Sequence, residues 1–338
     1  MTPPAPASPA RRLGRTILGA AAVLLSLVLV SLAVVDASSS ASGASARNQL
    51  TLIAPAAAGG GWDSAAREAQ QTLRTHGVVN NSQVVNVPGA GGTIGLSELS
   101  GLEGDSSTMM LMGITMLGAI KINGSGVDLD DVTPIARLTD DYDVLVVPAD
   151  SPYDSADELV AAWREDPAHF AFGGGSLGSV DQMIISQLAS RSEIDPGQVN
   201  YIAHSGGGEL ATALLSGTIS ASVSGYADFE DQIEAGRLKA LAVSAPEPVE
   251  AIPYPTLNEL GYDVELTNWR GIVAPPGLTA DEREELEAIV DEMVRSPEWS
   301  DVLARNEWTD TYLSGEDFEE NLRAESETVD RIWSELGY

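Results

Sequence analysis

The chain has 338 residues, enough for two modest domains or one large one, and 43% of them are hydrophobic, which excludes wholesale disorder. Eighteen basic residues stand against 50 acidic ones, a net charge of −32 that disfavours binding to nucleic acid or anionic lipid. There is no cysteine, which rules out disulfides, thiolate metal sites, a cysteine nucleophile and a lipid-modified N-terminal cysteine. Only Lys121 and Lys239 are lysines, and the acids are scattered, as on a solvated acidic surface.

The N-terminus reads as an export signal. Arg11, Arg12 and Arg15 precede the apolar run at 16–35, and a small-residue stretch follows, in which Ala44-Ser45-Ala46 fits a cleavage site. The apolar run is almost long enough to span a bilayer, so an uncleaved anchor is the alternative. Both place residues 47–338 outside the cytoplasmic membrane, in the periplasm or at the cell surface. "RRLGR" lacks the hydrophobic pair that a twin-arginine signal carries.

Residues 50–55 predict a short strand. A helix follows over 63–75, with Ala65, Ala66, Ala69 and Leu73 at helical spacing. A strand at 82–88 ends in a glycine cluster; a short helix from Thr93 and a strand at 108–114 complete a βαβαβ unit. The same grammar returns from 142: a strand, a helix capped by Ser155 with Glu158 at the capping-box position, and further strand–helix pairs up to the strand "LKALAVSA". Residues 266–277 form an extended apolar return segment. A helix with Thr279 as N-cap and a terminal helix follow.

Three loops, at 59–63, 173–179 and 205–208, share one design: apolar strand, glycine cluster, helix. At the carboxyl ends of parallel strands such helix mouths offer unpaired N–H groups to an anion, and glycine lets the anion approach. The alternative is that the glycines are ordinary turn residues. Gly174 to Gly178 also matches the G-x-S-x-G nucleophile elbow, with Ser176 as nucleophile. A hydrolase then needs a histidine later in the chain. His204 is the only one, since His76 and His169 come earlier. The G-x-G-x-x-G match at Gly173, Gly175 and Gly178 is isolated, no Walker motif is present, and no residue cluster has metal-ligand spacing. No cofactor or metal is expected.

The segments "LTLIAPAAAGGGWDSAAR", "VVNVPGAGGTIGL", "FAFGGGSLGSVDQ", "YIAHSGGGELATALLSGTISASVSG" and "PTLNELGYDVELTNWRGIVAPPGL" occur in one order and spacing. Over residues 48–338 the chain resembles the extracytoplasmic receptors of tripartite tricarboxylate transporters, the Bug-type receptors. "GGGWD" with "NWRG" resembles the subgroup named for tricarboxylates. The resemblance implies an α/β, two-lobed periplasmic-binding-protein fold (type II) with the ligand cleft between the lobes. It implies one lobe from 48–141 plus 268–338 and a second from 142–267, joined near Asn268. It also implies a monomeric, non-catalytic receptor for a small di- or tricarboxylate, citrate-like, and two integral membrane subunits as partners.

The resemblance further implies that the loop carrying Ala56, Gly59, Gly60, Gly61, Trp62 and Asp63 and the loop carrying Gly175, Ser176 and Ser179 grip the ligand. Trp62 walls the cleft or packs in the core. Asp63 chiefly caps its helix. Ser176 and Ser179 are hydroxyl donors beside a helix mouth. Thr115, at the end of the third strand, donates to the ligand. His204 and Ser205 end a second-lobe strand, and Tyr226 follows another. Arg270 offers a planar fork to a carboxylate, with a structural salt bridge as the alternative. Two further readings stand beside this one: an exported serine hydrolase using Ser176, and a receptor that presents its ligand to a sensor kinase.

Overall fold

A computed structural model describes residues 46–337 of the chain; the export segment lies outside the described residues. Eleven strands among these residues form two sheets. The first sheet is built from β1 (Leu50–Ala54), β2 (Ser82–Asn86), β3 (Thr108–Gly113), β4 (Thr133–Asp140), β10 (Arg270–Ala274) and β11 (Thr309–Ser314). Their order is β11-β4-β10-β3-β1-β2. The second sheet contains β5 (Asp143–Pro148), β6 (Ala171–Gly174), β7 (Asn200–Ala203), β8 (Ala221–Gly225) and β9 (Leu238–Val243), in the order β7-β6-β8-β5-β9.

Neither sheet is purely parallel. β1 pairs in parallel with β2 and β3, but β10 runs antiparallel to β3 and β4, and β11 antiparallel to β4. In the second sheet β5 runs antiparallel to β8 and β9. The antiparallel strands β5 and β10 are those that enter a sheet from the other lobe. Each starts beside the end of an antiparallel neighbour: Arg270 pairs with Gly113 of β3, and Asp143 with Gly225 of β8.

The helices are α1 (Gly61–Thr75), α2 (Thr93–Ser100), α3 (Ile114–Asn123), α4 (Ala156–Glu165), α5 (Val180–Arg191), α6 (Gly207–Leu215), α7 (Tyr226–Glu234), α8 (Ala280–Val294), α9 (Pro297–Asn306) and α10 (Gly315–Glu335). The Thr279 cap of α8 forms a full capping box with Glu282. At α4, Ser155 accepts from the Glu158 N–H, but the Glu158 carboxylate reaches the Asp154 N–H instead of closing the box on Ser155. No described helix is long and apolar enough to cross a membrane.

Four elements are not foreseen by the sequence pattern: β4, α3, α9 and β11. α3 buries Ile114, Met116, Leu117, Gly118 and Ala119, so its sequence is apolar without a polar face and reads as a continuation of β3. Thr115 therefore does not end a strand. It lies in the first turn of α3.

The lobes are joined by more than two chain crossings. One hydrophobic cluster contains Met110, Met112, Trp269 and Phe318 together with Phe172, Val180, Ile184 and Leu188 of the second lobe. The terminal helix α10 belongs to this seam through Trp333, which is fully buried. At the crossings Asp141 and Asn268 exchange backbone hydrogen bonds of 3.3 and 2.9 Å. The Asn268 amide also donates to Asp143 Oδ1 at 3.1 Å.

Candidate functional site

The glycine loops converge where the lobes face each other. A Cβ on Gly60 would lie 4.0 Å from the Ser205 carbonyl oxygen, and one on Gly206 would lie 3.9 Å from the Gly60 Cα. The α1 and α6 mouths thus oppose one another across the cleft. A Cβ on Gly61 would come within 3.0 Å of Arg270 Nη2, so glycine at this position leaves room for the guanidinium beside the α1 mouth.

Arg270 is buried, with 5% of its surface exposed. Its Nη2 donates to Asp141 Oδ2 at 2.7 Å, and its guanidinium carbon lies 4.8 Å from the centre of the Trp308 ring. The salt bridge raised as the structural alternative is therefore formed. It uses one nitrogen only. Nη1 is buried and has no hydrogen-bond partner among the described residues, an arrangement that costs free energy unless a ligand or solvent supplies an acceptor.

Asp63 does not cap α1. That helix starts from Gly60 without a side-chain cap. The Asp63 carboxylate instead accepts from Gly59 N–H at 2.8 Å, Arg67 Nε at 2.9 Å and Asn86 Nδ2 at 2.8 Å, and the Asn86 amide also donates to the Ala56 carbonyl at 3.0 Å. This ties the loop from Ala56 to Gly60 onto β2. Burial pushes the Asp63 pKa up, but hydrogen bonds from Arg67, Gly59 and Asn86 outweigh it and hold the carboxyl below its ordinary value. Trp62 is half-buried, and its ring packs against Gly92 and Gly113 and against both first-lobe core clusters. The core-packing alternative is therefore formed.

On the second lobe, Ser179 is the N-cap of α5 and accepts from Gln182 N–H. Its hydroxyl lies 3.1 Å from the Tyr201 hydroxyl, which donates to the Gly175 carbonyl. The Gly175 N–H is taken by Asp181 at 2.6 Å and the Gly178 N–H by Gln182 at 2.8 Å. Much of the α5 mouth is therefore satisfied by its own side chains. Ser176 is half-buried and faces the first-lobe turn, its Oγ 3.3 Å from the position of a Cβ on Gly91. Thr115 Oγ1 accepts from Val180 N–H at 3.3 Å, a bond from one lobe to the other.

The nucleophile-elbow geometry is not formed. Ser176 has no positive φ, and α5 begins four residues after it. The His204 Nδ1–H donates to the Ile202 carbonyl at 2.8 Å, which fixes the ring along its own strand. Ser205 N–H donates to Glu209 Oε2 at 2.9 Å. Tyr226 opens α7 but is buried in the second-lobe core beside Tyr254.

The residues that sequence reasoning missed are acids: Asp181 in α5, Glu209 in α6 and Asp228 in α7, each in the first turn of its helix as the foreseen Asp63 is in α1. Asp141, at the crossing, belongs to the same group. The signal was present as an acid two or three residues inside each such helix, but its role depends on which N–H groups the loop leaves unpaired.

Two α/β lobes facing each other over opposed helix mouths, with the chain crossing twice between them, define the class of periplasmic solute-binding proteins. The sequence profile described as "tripartite tricarboxylate transporter family receptor" matches residues 65–338, and the chain belongs to that family. It is 26% identical over 301 residues to the UPF0065 protein of the TAR-I ttuE-ttuC' intergenic region of Agrobacterium vitis, covering 85% of this chain and 84% of that one. Its fold is similar to that of the periplasmic binding protein BugD (TM-score 0.78, 20% identity, 86% of this chain and 98% of that one). It is similar also to MatC of Rhodopseudomonas palustris, solved with bound malate (TM-score 0.71, 21% identity, 86% and 97%).

Proposed function

We propose that the chain is an exported, non-catalytic solute receptor that captures a small di- or tricarboxylate, citrate-like in class, between its lobes. It delivers that ligand to two integral membrane subunits of a tripartite transporter. The observation that carries this reading is Arg270: a buried guanidinium beside the α1 mouth with one nitrogen unpartnered. A carboxylate placed there accepts from Nη1 and from the free N–H groups of the first turn of α1. The gripping set in this reading is Ala56, Gly59, Gly60, Gly61, Trp62 and Asp63 with Thr115 and Arg270 from one lobe. Gly175, Ser176, Ser179, His204, Ser205 and Tyr226 belong to it from the other, the last through packing. The structural division at the Asp141 and Asn268 crossings supports two lobes of 48–141 plus 268–338 and 142–267. A ligand that touches both lobes favours the closed state by its differential affinity for it. That MatC, which has a similar fold, was solved with bound malate supports a small dicarboxylate as the ligand class.

A thermal-shift screen of the purified protein against organic acids tests the proposal. A di- or tricarboxylate at about 100 times its Kd is expected to add about 2.7 kcal/mol of stability and raise Tm. A screen in which sugars or cationic solutes raise Tm and no carboxylate does overturns it.

A further inference from the structure

We propose that Asp228, together with Ser224, reads a hydrogen-bond donor on the ligand, so that the receptor prefers a carboxylate bearing a hydroxyl or ammonium group to its unsubstituted counterpart. This inference rests on the carboxylate-receptor reading above.

The four first-turn acids are not equivalent. Asp63, Asp181 and Glu209 each accept a backbone N–H from their own loop, at Gly59, Gly175 and Ser205. Asp228 accepts no backbone N–H; its Oδ2 takes only the Ser224 hydroxyl, at 3.0 Å. It also lies within reach of the Arg270 charge. A Cβ on Gly225 would lie 3.1 Å from Asp141 Oδ2 and 3.7 Å from Asp228 Oδ2, so both carboxylates bracket one point over the α7 mouth. A Cβ on Gly207 would collide with Asp228 at 2.5 Å, which sets the Asp228 carboxyl against the α6 mouth as well. The side chain is walled by protein and yet remains open to solvent, as expected of a group on the floor of a cleft.

The charge balance here opposes a bare anion. Asp141 is occupied by Arg270 and by the Tyr142 N–H. Asp228, whose one hydrogen-bond donor among the described residues is the Ser224 hydroxyl, then faces the incoming ligand with acceptor capacity to spare. A carboxylate on Arg270 Nη1 brings a further negative charge next to it. A donor carried beside that carboxylate turns this repulsion into a hydrogen bond. Among the described residues no group of three or more acids or histidines is placed to hold a metal ion.

Calorimetric titration of two matched series tests the proposal: butanedioate with its 2-hydroxy and 2-amino derivatives, and propane-1,2,3-tricarboxylate with its 2-hydroxy derivative. A substituted member is expected to bind about tenfold or more tighter than its parent. Asp228→Asn should shrink that ratio to about threefold or less, and Ser224→Ala should shrink it partway. A lead for the 2-amino compound identifies the donor as an ammonium, and a lead for a 2-hydroxy compound identifies it as a hydroxyl. Thermal melts confirm that both variants fold. Equal binding of parent and substituted members to the wild type overturns this proposal alone. So does a uniform loss across each series in both variants, which marks a structural role. If no member of either series binds the wild type, the carboxylate reading falls and this one with it.

Discussion

Arg270 and Asp141 form a buried ion pair, 2.7 Å from Nη2 to Oδ2, that joins the start of β10 to the chain crossing that leaves β4. It pins both crossings at one point and leaves Nη1 of the guanidinium without a hydrogen-bond partner among the described residues. Arg270→Ala strands the Asp141 carboxylate away from water and is expected to destabilise the fold by about 3–5 kcal/mol. The double variant Arg270→Met, Asp141→Asn removes both charges and should recover most of that loss, yet fail to bind carboxylates. Urea unfolding and calorimetry separate the two effects. A double variant that binds as the wild type does removes Arg270 from the ligand site.

The Asp63 network predicts an acid-sensitive loop. The folded pKa of Asp63 lies below its ordinary value of 3.8, so its contribution to stability is present above 3.8 and is lost as pH falls through the folded pKa. Asp63→Ala leaves the Gly59 N–H without its acceptor and the Asn86 amide with the Ala56 carbonyl alone. It should cost about 1–3 kcal/mol at neutral pH and flatten the acid limb of the stability profile. Because the loop is one jaw of the cleft, ligand affinity should fall with it. Unchanged acid sensitivity in the variant would assign that limb to other carboxylates.

The glycine loops and their placement before helices were legible because strand, glycine cluster and helix each leave a periodic or compositional mark. What the loops bind to was not. Asp63 stands at the position of a capping acid, but its partner is the Gly59 N–H of the preceding loop, a choice made by the path of residues 56–60. α3 was invisible because burial on all sides erased its polar face. α9 carries a signal that the sequence analysis did not use, Ser296 as N-cap before Pro297 at the first helical position. The edge strand β11 is exposed at Thr309 and Asp310 and half-buried over its other four residues, so no alternation of buried and exposed positions marks it. Asp228 acquires meaning only from Arg270, 42 positions later, which no local pattern connects.

Gly118 offers a test of closure away from the ligand. It lies in α3 of the first lobe, and a Cβ there would come within 2.1 Å of the carbonyl oxygen of Gly178 in the second. Alanine inside a helix normally stabilises it by up to about 1 kcal/mol relative to glycine. Here Gly118→Ala should instead hold the lobes apart. The expected result is a larger radius of gyration by solution scattering and about a tenfold loss of carboxylate affinity, with helicity retained. Wild-type affinity in this variant would mean that the α3 contact with Gly178 is not part of the bound state.

Asp143 and Asp181 predict a pH dependence of opposite sign to that of Asp63. Asp143 is 1% exposed, and its Oδ2 has no donor among the described residues. Burial first, and then the Asp181 and Asp141 charges, push its pKa well above 3.8; burial likewise raises that of Asp181. A proton kept on Asp143 and donated to Asp181 satisfies both groups. The folded state then holds protons that the unfolded state releases, so the contribution to stability is greatest below 3.8 and declines as pH rises toward the folded pKa. Asp143→Asn supplies a permanent donor in the same shape. It should raise the urea midpoint at neutral pH and remove this part of the slope above pH 3.8, while leaving the acid limb set by Asp63 in place. A variant less stable than the wild type at neutral pH, with the slope intact, would show that Asp143 is ionised in the fold and that its charge is held by the Asn268 amide alone.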